Sequence, residues 1–155
     1  MKLYRTLALI ATGIAVIATA TIALANTGSG LTTTILGHRA TLSRDVEVEQ
    51  SGIDFQTEGP TDALVQTITF QPHGTSGWHF HPGMVLVVVE SGTVTTHNAE
   101  CETKTYGPHQ AFVEKGTRPF MVSNESSTEN ATVYATIVVP AGSAFRIESA
   151  PPPCA

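Results

Sequence analysis

The sequence predicts an all-β domain, a sandwich or barrel of antiparallel strands. Three observations predict it. Short runs rich in β-branched and apolar residues recur at regular spacing, each closed by Gly, Pro, Asn or Ser. Beyond the N-terminal stretch, no segment sustains a helical apolar period. Nothing helical alternates with the strand-like runs, which disfavours a parallel α/β sheet.

Taken in order, Ala40 to Val48 and Ile53 to Thr57 are the first and weaker strand candidates. Leu64 to Phe70 is rich in β-branched residues and stops at Gln71-Pro72-His73-Gly74. Met84 to Val89 is an unbroken apolar run, suited to a strand covered on both faces. Ser91-Gly92 turns the chain into Thr93 to His97. Ala111 to Val113, Phe120 to Ser123 and Thr132 to Val139 follow between turn-forming clusters, and Ser123 to Thr132 reads as a long surface loop. There is no internal repeat. The expected organisation is one domain over residues 26–155, with a core at about 31–140 and a tail at 141–155.

Composition agrees. A chain of 155 residues, 41% hydrophobic and 14% charged, fits one packed domain. A net charge of −5, with no run of either sign, argues against nucleic acid, whose phosphates call for clustered Lys and Arg. Lys2 and Arg5 precede an uncharged stretch from Thr6 to Leu24, and Ala23-Leu24-Ala25 supplies a small-x-small cleavage pattern. That is the layout of a secretory signal over residues 1–25, cut after Ala25. The alternative is an uncleaved anchor through residues 6–25, the one route by which a membrane becomes a partner. Both readings place the domain outside the cytoplasm. The two cysteines, Cys101 and Cys154, then point to one disulfide that ties the Pro151-Pro152-Pro153 tail to the body, with two unrelated thiols as the alternative.

The chemistry is concentrated in His73 to Gly83. On a strand, residues two apart share a face, so His79 and His81 present two imidazoles side by side, with Trp78 and Phe80 turned the other way into packing. Two neutral imidazoles suit one divalent metal ion. The plain alternative is a pair of histidines on a half-exposed strand.

This stretch resembles the first motif of the cupin superfamily, Gly-x5-His-x-His-x(3,4)-Glu-x6-Gly. His79-Phe80-His81-Pro82-Gly83 fills the histidine part and Gly92 the closing glycine. The glutamate slot holds Val85, or Leu86 at the longer spacing. The second motif, Gly-x5-Pro-x-Gly-x2-His-x3-Asn, is matched loosely from His109 to Asn124. Asn124 fits, Gly116 is one place off, and Phe120, Lys115 and His109 replace the histidine, the proline and the first glycine. The chain is similar to small exported cupins (RmlC-like, type 2).

The resemblance implies a jelly-roll barrel, or double-stranded β-helix, with the pocket inside. In metal-bearing members three histidines and a glutamate hold Fe, Mn, Ni, Zn or Cu. Two of those four positions survive here, with Val85, Phe112 and Phe120 as apolar pocket lining. The function expected is a secreted module that binds a small molecule, with at most a weak two-histidine metal site. The alternative is a metal-dependent enzyme, dioxygenase- or isomerase-like, using His79, His81 and a third histidine from His109, His73 or His97. A structural protein is a further reading, and a homodimer is possible under any of them. Glu90 counts onto the face opposite Val85 and is not expected to replace the carboxylate. Phosphate-loop, nucleophile-elbow, His-Glu-x-x-His and Cys-x-x-Cys motifs do not occur, whereas Asn124-Glu125-Ser126 and Asn130-Ala131-Thr132 match the glycosylation pattern.

Overall fold

A computed structural model describes residues 27–155. The expected signal segment, its cleavage after Ala25 and the alternative anchor lie outside the described residues. Thirteen strands follow one another: β1 (Thr27–Ile35), β2 (Ala40–Leu42), β3 (Val46–Gln50), β4 (Ile53–Thr57), β5 (Thr61–Gly77), β6 (His79–Phe80), β7 (Met84–Ser91), β8 (Val94–Asn98), β9 (Thr103–Tyr106), β10 (Ala111–Lys115), β11 (Phe120–Ser123), β12 (Ala131–Pro140) and β13 (Ile147–Glu148). No helix occurs among the described residues. The expected all-β barrel is what forms.

One antiparallel sheet carries most of the chain, in the order β10-β7-β12-β5-β11-β6-β13. β1 and β2 also pair with β5, β8 lies between β11 and β9, and β3 and β4 form a separate hairpin. The sheet curls so that alternate residues face one interior. On β7 those are Val85, Val87 and Val89, and on β12 they are Ala131, Val133, Ala135, Ile137 and Val139, all buried. Phe70 fills the space between them. Burying a Val side chain this completely contributes about 1.5–3 kcal/mol before entropy is counted.

Two expectations change. The apolar run of β7 is covered on one face only, since Leu86 and Val88 remain 42% and 38% exposed. They sit in register with Val113 and Ala111 of β10 and with Thr136 and Tyr134 of β12, on the outer face of the sheet. The turn expected at Gln71 to Gly74 is a bulge inside β5. Pairing with β1 jumps from Leu31↔Phe70 to Ser29↔Thr75, and the extra residues loop out opposite Gly30. A Cβ on Gly74 would meet the Gly30 carbonyl at 2.6 Å, so the close approach requires glycine. The turn chemistry was real, but the strand continued past it.

Cys101 and Cys154 are joined by a disulfide, as expected. The tail they secure runs back over β6. β13 pairs with β6, the Ser149 amide donates to the Trp78 carbonyl at 3.0 Å, and Pro152 is buried. Asn124 is only 1% exposed, and its amide nitrogen donates to the carbonyls of Phe70, Gln71 and Glu129. The first glycosylation match is thus an internal clamp on the Ser123–Thr132 loop.

Candidate metal centre

Three buried side chains converge inside the barrel: His79, His81 and Glu114. Glu114 Oε2 lies 3.4 Å from His79 Nε2 and 3.3 Å from His81 Nε2. One ligand atom from each residue falls within 4.8 Å of the other two. The strand period brings them together. His79 and His81 project inward from β6 and its end, and Glu114 projects inward from β10, where buried and exposed residues alternate. Glu114 is the cross-strand partner of Val85. The carboxylate missing from the motif's own slot is therefore supplied by the neighbouring strand, on the same face.

The far side of each imidazole is anchored. His79 Nδ1 donates to the Gly77 carbonyl at 2.9 Å, and His81 Nδ1 donates to the Phe145 carbonyl. A carbonyl only accepts, so each Nδ1 carries a proton and Nε2 is the nitrogen that faces the centre, as a lone pair when the ring is neutral. Outer hydrogen bonds of this kind fix tautomer and ring angle in metal sites.

Glu114 Oε2 is buried without a hydrogen-bond partner. Burial alone pushes the carboxyl up, but where Nε2 carries a proton the hydrogen bonds and charge of the two facing imidazoles outweigh burial, holding it at about 2 against an ordinary 4.5. With both rings neutral, three electron-rich atoms face one another in a buried interior. A divalent ion resolves that conflict. Donors about 2.1 Å from one ion at tetrahedral angles stand about 3.4 Å apart, which matches the two separations to Glu114.

In the metal-free chain the same arrangement sets a pH dependence. A carboxyl whose folded value is depressed adds stability that is complete above 4.5 and is lost as pH falls towards about 2. Denaturant unfolding across that window should fall more steeply for the wild type than for Glu114→Gln. Parallel curves would show that Glu114 is not held ionised.

The histidines expected as third ligand do not take part. His73 and His109 are exposed and sit at φ 59° and 65°. Each occupies a slot where the cupin motifs carry their first glycine. Histidine is among the residues that enter the left-handed region most readily, so both serve as turn residues. His97 Nε2 is 2.9 Å from Ser123 Oγ and 3.7 Å from Glu125 Oε1, in a separate polar contact. Glu90 is exposed, as its parity required.

Beside the centre opens a cavity of about 450 Å³. Val85 and Phe112 line it, as expected, together with Ile68, Phe70, Val87 and Ile137. Phe120 does not. It stacks on Phe112 at 6.3 Å between ring centroids and borders a second depression among β8, β9, β10 and β11. Arg146 and Glu148, paired at 2.6 Å, also border the main cavity.

The family model described as cupin domain matches residues 66–139. The chain carries a cupin domain. Solved cupins share the fold at low identity. A cupin-2 domain from Rhodospirillum rubrum superposes with a TM-score of 0.56 at 11% identity, covering 79% of this chain and 67% of that one. The polyketide cyclase RemF from Streptomyces resistomycificus gives 0.51 at 12% identity, covering 88% of each chain. A double-stranded β-helix protein from Klebsiella pneumoniae gives 0.50 at 15%, covering 73% and 85%. At these identities the likeness is one of fold. No curated protein matches this cupin in sequence. The residues that could hold a metal ion, two histidines and a glutamate from a neighbouring strand, depart from the motif in two positions, the glutamate slot and the third-histidine slot held by Phe120. The signal for Glu114 was available: once Phe112 faces the pocket, the residue two places on must face it too.

Proposed function

We propose that this cupin is a metal-dependent enzyme of the extracytoplasmic space, acting on a small apolar molecule held in its barrel. The observation that carries the proposal is Glu114 beside His79 and His81, an ionised and unpartnered carboxylate facing two imidazoles of fixed tautomer. Two histidines alone would hold an ion weakly. Two histidines with a carboxylate form a three-ligand set that leaves coordination positions open for substrate. An ion bound there supplies Lewis-acid polarisation or a site for an oxygen ligand.

The rest follows from the chain's own side chains. The apolar walls strip water from the ligand and favour aromatic or aliphatic groups over sugars or phosphates. The Nδ1 tethers hold both imidazoles still, so little reorganisation accompanies ion binding. The disulfide supports an oxidising compartment and hence the exported setting.

Purified protein equilibrated with Mn, Fe(II), Co, Ni, Cu and Zn salts, desalted and analysed for metal should carry close to one ion per chain. The loaded protein, incubated with small phenols, enols and aliphatic acids, should convert at least one of them, read by mass spectrometry. Failure to retain any of the six metals sinks the proposal. Stoichiometric metal with every compound bound but returned unchanged would leave the binding-module reading in its place.

A further inference from the structure

We propose that Arg39 is a positioning residue of the metal centre, acting on His81 through the backbone at Phe145; this rests on the reading of His79, His81 and Glu114 as a metal site. Arg39 lies on the link between β1 and β2, remote in sequence from every ligand. Its guanidinium makes three contacts, two on the C-terminal segment and one on Asp62 of β5, which grips the same segment. Nε pairs with Asp62 Oδ2 at 2.7 Å, Nη2 donates to the Ser143 carbonyl at 2.6 Å, and Cζ lies 4.3 Å above the centre of the Phe145 ring. Asp62 is 3% exposed and holds the same segment, accepting from the Gly142 amide at 2.8 Å. Thr41 and Gly142, with Arg39, hold its carboxyl below the usual range despite burial.

Residues 142, 143 and 145 are thus gripped by one ion pair. The Phe145 carbonyl, in turn, receives the Nδ1 proton of His81. That carbonyl lies outside any sheet ladder, because β13 begins only at Ile147. His79 has no such dependence, for its own anchor, the Gly77 carbonyl, belongs to β5. The two imidazoles are therefore unequal. One is oriented by the barrel wall, and the other by a tail segment that Arg39 stacks into place. Arginine suits the task since its planar fork can pair, donate and stack at once, which a lysine cannot do.

The test uses Arg39→Ala and Arg39→Lys, with Val94→Ala in β8 as a control that loosens the core away from the tail. Arg39 is 40% exposed at its side chain, so its variants should fold. Two readouts are needed. Co(II) titration followed by absorption should show affinity about tenfold weaker in Arg39→Ala, the lower end of outer-shell effects, with partial recovery in Arg39→Lys. Nitrogen-edited NMR of the metal-free protein at about pH 8, above the ordinary imidazole range, should show His81 losing its fixed Nδ1–H tautomer while His79 keeps it. Val94→Ala should change neither.

Unchanged affinity and an unchanged His81 tautomer in Arg39→Ala would overturn the proposal, as would equal loss at His79 and His81. A wild type that binds no Co(II), yet whose His81 tautomer depends on Arg39, would remove the metal reading and leave the hold on His81 standing.

Discussion

Glu114→Gln should lose the metal and, in the metal-free protein, forfeit the stability that the ionised carboxylate adds above pH 4.5. Glutamine preserves shape and removes the charge that the ion needs. Affinity should fall by more than the 10- to 100-fold typical of an outer-shell change, because a ligand is removed outright. Calorimetric titration with Zn(II) or Co(II), beside a denaturant melt, checks both halves. The cross-strand register gives a sharper form. Val85 and Glu114 are directly opposed on the inner face, so Val85→Glu combined with Glu114→Val moves the carboxylate back to the motif's slot, a few ångström away. The double variant should recover binding that Glu114→Val alone has lost. Retention of full affinity by Glu114→Gln would mean that the carboxylate is not a ligand.

Opening the disulfide should have the largest effect on stability. Cys101 and Cys154 are 53 residues apart, and closing such a loop restricts the unfolded chain by about 4 kcal/mol in the entropy model. A Cys101→Ser/Cys154→Ser chain should therefore lose much of a small domain's total stability, read as a large drop in melting temperature or a failure to express folded. The loss should also reach the metal centre, because the released tail carries the Phe145 carbonyl that orients His81. Melting temperatures within a degree or two of each other would show that the tail is held by its other contacts alone.

The fold was readable because patterns of period two and turn residues act locally. Val85, Val87 and Val89 announce an inward face, and Gly92 a tight turn, whatever the rest of the chain does. The pairing of the cysteines was readable from their even number. The metal centre was half readable. His79 and His81 lie two apart on one short segment, so strand geometry alone unites them. Parity with Phe112 turns Glu114 inward, but it is 33 residues downstream of His81 and its meeting with the histidines rests on the pairing of β10 with β7, which no local pattern reveals. His73 and His109 misled for the converse reason. They are close to the motifs in sequence, but their backbone turns left-handed there, and that conformation is invisible in the residue type alone. Phe120 shares the inward parity of Val122, yet Phe112 stands between it and the main cavity. Parity tells which side a residue faces, and says nothing of what intervenes.

The order of strands in the sheet carries one more consequence. β10 stands at one terminus of that order and β13 at the other, so this path ends in free margins rather than a sealed circumference. Glu114 belongs to the first margin, and His79 lies on β6, one strand in from the second. An ion held by both would act as a clasp across the gap, and occupancy would become a component of folding free energy: at a hundred times its dissociation constant it adds about 2.7 kcal/mol. Scarcity of the ion would then be felt first as a slackening of the barrel.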